Sequence, residues 1–416
     1  MANRPQAFHP KILTIRDLKD EASKKLPPMY RDYFNEGASD MITLRDNEAA
    51  FDRYKIRPRI LVNVSTVDTS TTIFGTKVSF PLGFAPAAMH KLAHPDGEVA
   101  TSRAAAKAGI CMGLSAYSTT SMEEVAEQGM GNPYVIQLTM LRDRSVAEQM
   151  LRRAESESCL FLFFIISTHH RVSFPLLYHL QKGLQSKEDT RKPTLISDPG
   201  SGYKAVFLTV DCPVLGLRLN EYRNNFTLPD GMTYPNLTDD PTAPFSLADG
   251  DPKNSYDNAI IWDDIIPWLR SRTGMQLWLK GVYTADDVTL AIRHGLDGVV
   301  VSNHGGRQLD GVPATLDALR ECAGAAAGRI QIALDGGVRR GSDVFKAVAL
   351  GAQCVFVGRV PIWGLAVDGQ EGVELAVKIL MAEFRIAMAL AGCKSVKEIN
   401  RSHLSLLGLD GVLAKL

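Results

Sequence analysis

Eight apolar runs of four to six residues recur along the chain, and most are followed by a stretch with helical spacing. They are Pro81–Ala85, Cys111–Ser115, Tyr134–Leu138, Ala205–Val210, Gln276–Leu279, Gly298–Val301, Ile330–Leu334 and Cys354–Val357. Continuous rather than alternating apolarity marks strands buried on both faces, as in a parallel sheet. Between them, Gly97–Ala108 is alanine-rich and stops at Gly109. Thr120–Gln128 opens on a Ser/Thr-x-x-Glu-like cap, and Thr284–His294 runs from a capping threonine to Gly295. Eight strand–helix units in series predict an α/β fold, a (β/α)8 TIM barrel over residues 81–392.

Residues 1–80 are expected to form a helical extension that covers the barrel, with helices over Ile15–Lys25 and Pro27–Glu36. The second of these carries Tyr30, Tyr33 and Phe34 at the spacing of core aromatics. Two gaps between strands are too long for simple connections, Glu155–Ser201 and Glu221–Pro267. The second follows a strand, on the side where barrel sites form, and reads equally as a lid or as a surface excursion. The first precedes strand four, on the opposite face, and reads as a lineage-specific loop or as a translated intron. Its His169-His170 pair has no acid or cysteine at ligand spacing, so no metal site is expected. Residues 393–416 form a tail.

Composition changes this picture little. Lys plus Arg and Asp plus Glu both total 46, which gives no reason to expect nucleic acid or an anionic membrane as partner. The six cysteines are scattered without a CxxC and read as reduced thiols. No apolar core of a signal peptide stands in Met1–Lys11, and the longest apolar run, Cys159–Ile166, falls well short of the ~20 residues of a spanning helix. The terminal Ala414-Lys415-Leu416 resembles a peroxisomal address; the cytoplasm is the alternative.

The chemistry gathers at the C-terminal ends of the apolar runs, the face where barrels place function. Gly298–Val301 leads into Ser302-Asn303-His304-Gly305-Gly306-Arg307-Gln308-Leu309-Asp310. A base three residues from a carboxylate-binding cation suits proton or hydride removal beside a carboxylate. Strand four ends at Asp211, a candidate to orient His304 and fix its tautomer. Lys280 ends strand five, where burial is costly unless it meets an anion. Asp335-Gly336-Gly337-Val338-Arg339-Arg340 and Gly358-Arg359 follow strands seven and eight, the recurrent phosphate site of barrels. Arg218 reads either as a substrate clamp folded over the site or as a solvated loop arginine.

These motifs, with Leu208-Thr-Val-Asp211, Leu279-Lys-Gly-Val282 and Ala85-Pro-Ala-Ala-Met89, resemble the FMN-dependent α-hydroxy-acid oxidases and dehydrogenases, in particular a fungal-type peroxisomal member. That family includes glycolate oxidase, lactate oxidase and the flavin domain of flavocytochrome b2. The resemblance runs from about Ile15 to Leu406 and omits Glu155–Ser201. It implies His304 as base, supported by Asp211, with Tyr33, Arg218, Arg307 and the position of Thr139 at the substrate. It implies that FMN is lined by Pro86, Ala87, Ala88, Ser115, Gln137, Thr209, Lys280 and Ser302. Asp335, Gly336, Gly337, Arg339, Gly358 and Arg359 would hold its ribityl and phosphate end. The implied reaction is oxidation of an (S)-2-hydroxy acid to the 2-oxo acid, with O2 as acceptor, H2O2 as product and a tetramer as the assembly.

Two positions depart from the pattern. Thr139 stands where the family usually has a substrate-contacting tyrosine, and Tyr117 where plant glycolate oxidases have tryptophan. Both bear on substrate size. The alternatives are therefore dehydrogenation of a larger hydroxy acid or cyclic amino acid, a non-catalytic barrel that binds FMN or phosphate, and a nicotinamide-dependent dehydrogenase.

Overall fold

The computed structural model describes residues 7–155, 202–238, 252–408 and 411–416. The stretch 156–201, with its histidine pair, lies outside them. Eight parallel strands close into a barrel in chain order: β1 (Leu82–Phe84), β2 (Cys111–Leu114), β3 (Tyr134–Leu138), β4 (Tyr203–Thr209), β5 (Gln276–Val282), β6 (Gly298–Val301), β7 (Gln331–Asp335) and β8 (Cys354–Val357). The (β/α)8 expectation therefore holds. The apolar runs become strands because both faces are covered, by the barrel interior on one side and the helical ring on the other. Every residue of β3 and β6 is buried.

β5 is longer than its apolar pattern. Its apolar run stops at Leu279 and Lys280 was expected to end it, yet it continues to Val282, with a register shift against β6 between Lys280 and Val282. The charged Lys280 is thus held inside the sheet, which its partners make possible (below). The helix expected from Thr120 also differs. It covers only Met122–Ala126, and Ser121 is its cap. Thr120 is diverted, its hydroxyl donating to the buried Glu98 carboxylate at 2.8 Å.

A hairpin, Thr71–Ile73 with Thr76–Val78, brings Phe74 into the core inside the barrel. Its ring lies edge-on to Trp278 at 5.1 Å and to Phe207 at 5.9 Å. Gly298 makes room for this plug, since a Cβ there would enter the Trp278 indole.

Three helices precede the barrel: α1 (Ile15–Lys25), α2 (Pro28–Asn35) and α3 (Ile42–Arg53). α1 starts at a capping box on Thr14 and Asp17 and buries Ile15, Leu18 and Ala22. It packs on the C-terminal helix Arg359–Ala391, which breaks at Asp368–Gly369. α3 docks at the C-terminal mouth. Asn47 and Asn303 exchange hydrogen bonds of 2.9 and 2.8 Å, and Ala38 N–H donates to the Gly306 carbonyl at 2.8 Å. The tail returns as an antiparallel sheet in which Leu404–Leu407 pairs with Tyr54–Ile56 and with Leu413–Lys415. Ala414 and Lys415 belong to that last strand with exposed side chains. Among the described residues, no helix is long and apolar enough to cross a membrane.

Candidate active site

The loop after β6 sets the site. His304, Gly305 and Gly306 have consecutive positive φ values of 57°, 63° and 74°. Two glycines are needed there for space as well as conformation. A Cβ at Gly305 would stand 2.6 Å from Arg359 Nη1, and one at Gly306 2.7 Å from the Leu44 amide. The left-handed turn carries Arg307 back toward α2 while His304 points across to the end of β4.

His304 Nδ1 lies 3.2 Å from Asp211 Oδ1. A carboxylate only accepts, so the imidazole proton is assigned to Nδ1 and Nε2 is left free as a base. Burial pushes the His304 pKa below its ordinary value, Asp211 opposes that, and Lys280 adds to the lowering. Burial works against ionisation of Asp211, but His304 and Lys280 together hold its pKa below the usual carboxylate value. Cys212 Sγ is 3.4 Å from both Asp211 Oδ1 and His304 Nδ1. The donor atoms of these three residues lie within 4.8 Å of one another, close enough for one metal ion. Hydrogen bonding among them accounts for that spacing without one.

Lys280 is the second centre. Its Nζ is 3.3 Å from Asp335 Oδ2 and donates to Ser302 Oγ at 3.1 Å, and Ser302 Oγ donates to Asp335 Oδ1 at 2.7 Å. Burial disfavours the ammonium, yet Asp335 and Asp211 more than offset it, so its pKa is raised. The same Ser302 hydroxyl accepts the His304 amide at 3.1 Å, linking the two centres.

Cations crowd the rest of the mouth. Arg307 Nη1 donates to the carbonyls of Tyr33 and Glu36, and the guanidinium sits over the Tyr33 ring at 4.6 Å. Burial and the neighbouring Arg218 lower its pKa to about 10. Arg218 donates through Nε to the Arg307 carbonyl at 3.3 Å, so it folds over the site and is not a solvated loop residue. Arg359 donates to the carbonyls of Phe34, Gly305 and Glu36 at 2.7 to 3.0 Å. Burial, then Arg307 and Arg339, push its pKa down to about 9. Arg339 pairs with Glu48 at 2.9 Å, stacks on Trp363 at 4.9 Å and keeps a buried Nε without a protein partner among the described residues. Gly336 and Gly337 stand beside it with φ of 104° and 77°. A Cβ at Gly337 would run into the Asn47 carbonyl of α3. Buried guanidiniums with a free donor beside a glycine turn are suited to a phosphate.

One cavity of about 360 Å³ unites these groups. Tyr33, Pro86, Ala87, Ala88, Ser115, Gln137, Thr139, Thr209, Arg218, Lys280, His304, Arg307, Asp335, Gly336, Gly337, Arg339, Gly358 and Arg359 all line it. Asp211 and Ser302 stand behind its wall, reaching it through His304 and Lys280. Gln137 crosses the floor, its Nε2 donating to Thr139 Oγ1 and Thr209 Oγ1, both at 2.9 Å, while its Oε1 accepts the Ala116 amide at 3.1 Å. Other lining residues escaped notice in the sequence: Cys212, Glu221, Phe226, Tyr234 and Tyr256. The last four come from the 221–267 segment, so its described parts wall the site and are not a surface excursion. Their only signal was aromatic and acidic residues in a polar loop that follows a strand.

The closed barrel with a cationic cavity at the C-terminal ends of its strands sets the class, an α/β-barrel protein with an anion-binding site at that mouth. The chain belongs to the FMN-dependent dehydrogenase family, whose model matches residues 22–170 and 179–406, and FMN is its cofactor. The match runs through 156–170 and 179–201, so the part outside it narrows from the Glu155–Ser201 expected to 171–178. The chain is 47% identical to Oxidase FUB9 of Gibberella moniliformis over 97% of its length and 94% of the relative's. It is 42% identical to the glycolate oxidase of Spinacia oleracea (95% and 96% covered) and 41% identical to 2-hydroxyacid oxidase 1 of Homo sapiens (94% and 96%). Among solved structures, mandelate oxidase with (S)-2-phenylpropionate aligns with a TM-score of 0.76 at 33% identity, covering 95% of this chain and 98% of that one.

Proposed function

We propose that the protein oxidises an (S)-2-hydroxy acid to the 2-oxo acid and passes the electrons to O2, giving H2O2. The observation that carries this reading is His304, paired with Asp211 at 3.2 Å, facing a cavity that Arg307 and Arg218 also line. In it, the two arginines and Tyr33 hold the substrate carboxylate, and His304 Nε2 takes the proton that leaves the 2-hydroxyl. Asp211 keeps the imidazole in its tautomer and stabilises the charge it gains. FMN, when bound, supplies the acceptor for the two electrons and for the second hydrogen that the substrate loses. Pro86–Ala88, Ser115, Gln137, Thr209, Lys280 and Ser302 hold its ring, Lys280 supplying positive charge, and Asp335, Gly336, Gly337, Arg339, Gly358 and Arg359 its ribityl phosphate. The glycolate and 2-hydroxyacid oxidase relatives support the substrate class. A peroxisomal location, supported by Ala414-Lys415-Leu416, suits a peroxide producer, and a tetramer is the proposed assembly.

Within this class we favour an acid larger than glycolate. Thr139 leaves open the volume a tyrosine would fill, and Tyr117, Phe226, Tyr234 and Tyr256 line the cavity with aromatic rings. Peroxide-coupled steady-state assays on a panel from two-carbon to aromatic 2-hydroxy acids test both points. The wild type should favour bulky acids, and Thr139→Tyr should shift relative kcat/KM toward the two-carbon acid by roughly 10-fold or more. An unchanged preference in the variant contradicts the size argument, and turnover without peroxide contradicts O2 as acceptor.

A further inference from the structure

Glu221 stands at the arginines assigned above to the substrate. Its Oε1 lies 3.3 Å from Arg307 Nη2 and 3.5 Å from Arg218 Nη1, so one carboxylate oxygen bridges both guanidiniums. All three side chains are largely buried, at 24%, 14% and 13% exposure for Glu221, Arg307 and Arg218. Screening by water is therefore incomplete, and their charges act on one another and on any ligand.

The backbone that carries Glu221 is pinned. It lies in the short helix Leu219–Arg223. On one side Asn220 donates to the Glu36 carboxylate. On the other, Asn224 Nδ2 donates to Asp32 Oδ2 at 2.6 Å. Just beyond, Phe226 stacks on Tyr33 with ring centroids 4.6 Å apart. Glu221 can turn its side chain but cannot withdraw with its helix unless these contacts break. A ligand carboxylate laid on the same two arginines therefore meets a like charge that can turn but not leave the site. With Glu221 in place, the three formal charges leave one positive unit, enough to balance one carboxylate and not two.

We infer that Glu221 is a specificity-determining residue, a built-in carboxylate that shares Arg307 and Arg218 with the substrate, so that singly charged hydroxy acids are admitted and doubly charged ones disfavoured. This rests on the proposed carboxylate site. Discrimination by a repulsive group is the usual route by which a site rejects a ligand that its attractive contacts alone would accept. Glu221 also helps to keep Arg307 charged, opposing the lowering caused by burial and Arg218.

Calorimetric titration of the FMN-loaded protein with acetate and with oxalate tests the inference. Glu221→Gln keeps shape and removes charge. It should tighten oxalate by roughly 10-fold or more while changing acetate only about threefold, since oxalate brings two charges into the field of Glu221 and acetate one. Glu221→Asp, which retains the charge, should keep the wild-type ratio. If Glu221→Gln loses FMN absorbance, Glu221→Ala reads the same ratio. An oxalate-to-acetate ratio that stays within twofold of the wild type overturns the inference while leaving the carboxylate site standing. If neither anion binds the wild type or the variant, the carboxylate-site reading falls, and the role of Glu221 with it.

Discussion

Replacing His304 by asparagine should lower kcat/KM by roughly 10³–10⁴-fold while FMN stays bound. Asparagine is the informative choice because residue 304 has φ of 57°, a conformation asparagine tolerates better than most side chains. The turn that sets Gly305, Gly306 and Arg307 should survive, and only the base is lost. The pH profile gives the same residue a second signature. With His304 as the proposed base the neutral imidazole is the active form, and burial holds the His304 pKa below its ordinary value. The rate should therefore rise with pH through a value below 6.5, the ordinary value for histidine, and stay level above it. Asp211 favours the charged imidazole, so Asp211→Asn should move this acid limb to still lower pH and lower the plateau by about 10²-fold. Profiles of kcat/KM against pH for the two proteins check both shifts; an acid limb that moves upward in Asp211→Asn contradicts the assigned pairing.

The largest effect on stability is expected from Lys280→Met. Lys280 and Asp335 are 5% and 8% exposed and 3.3 Å apart, and Asp335 also accepts from Ser302. Removing one partner of a buried pair leaves the other charge uncompensated, at a cost of about 3–5 kcal/mol. Methionine fills most of the volume, so the loss is electrostatic and not a cavity. Thermal unfolding of FMN-free and FMN-loaded protein should show a lower Tm for Lys280→Met in both forms. Adding Asp335→Asn should recover a large part of that loss, because the stranded charge is then gone. A double variant no more stable than Lys280→Met would assign the destabilisation to packing instead.

The barrel was legible because burial on both faces leaves continuous apolar runs, which stand out without an alignment. The core of the site was legible for a related reason. In a barrel all strands end at one mouth, so His304, Asp211, Lys280, Asp335 and Arg359, each at or just past a strand end, converge. What escaped depends on contacts distant in sequence. Nothing local marks Phe74 as the residue that enters the barrel core, or Asn47 as the group on which α3 docks. Lys280 looked like a strand terminus because its charge breaks the apolar run, whereas Asp335, 55 positions later, lets the strand continue. Glu221, Tyr234 and Tyr256 sit in a polar segment whose composition suits a loop at the surface or over the site, and only the fold decides between them. The proposed bearing of Thr139 and Tyr117 on substrate size came from the family resemblance and not from any contact.

The central claim is that the FMN held at this mouth takes two electrons from a 2-hydroxy acid. Anaerobic mixing of the FMN-loaded protein with short, long and aromatic (S)-2-hydroxy acids, followed by readmission of oxygen, tests it most directly. One or more bulky acids should bleach the visible flavin absorbance, and oxygen should restore it with about one peroxide formed per flavin, as two-electron balance requires. A stably yellow protein that no acid of the panel bleaches would contradict it.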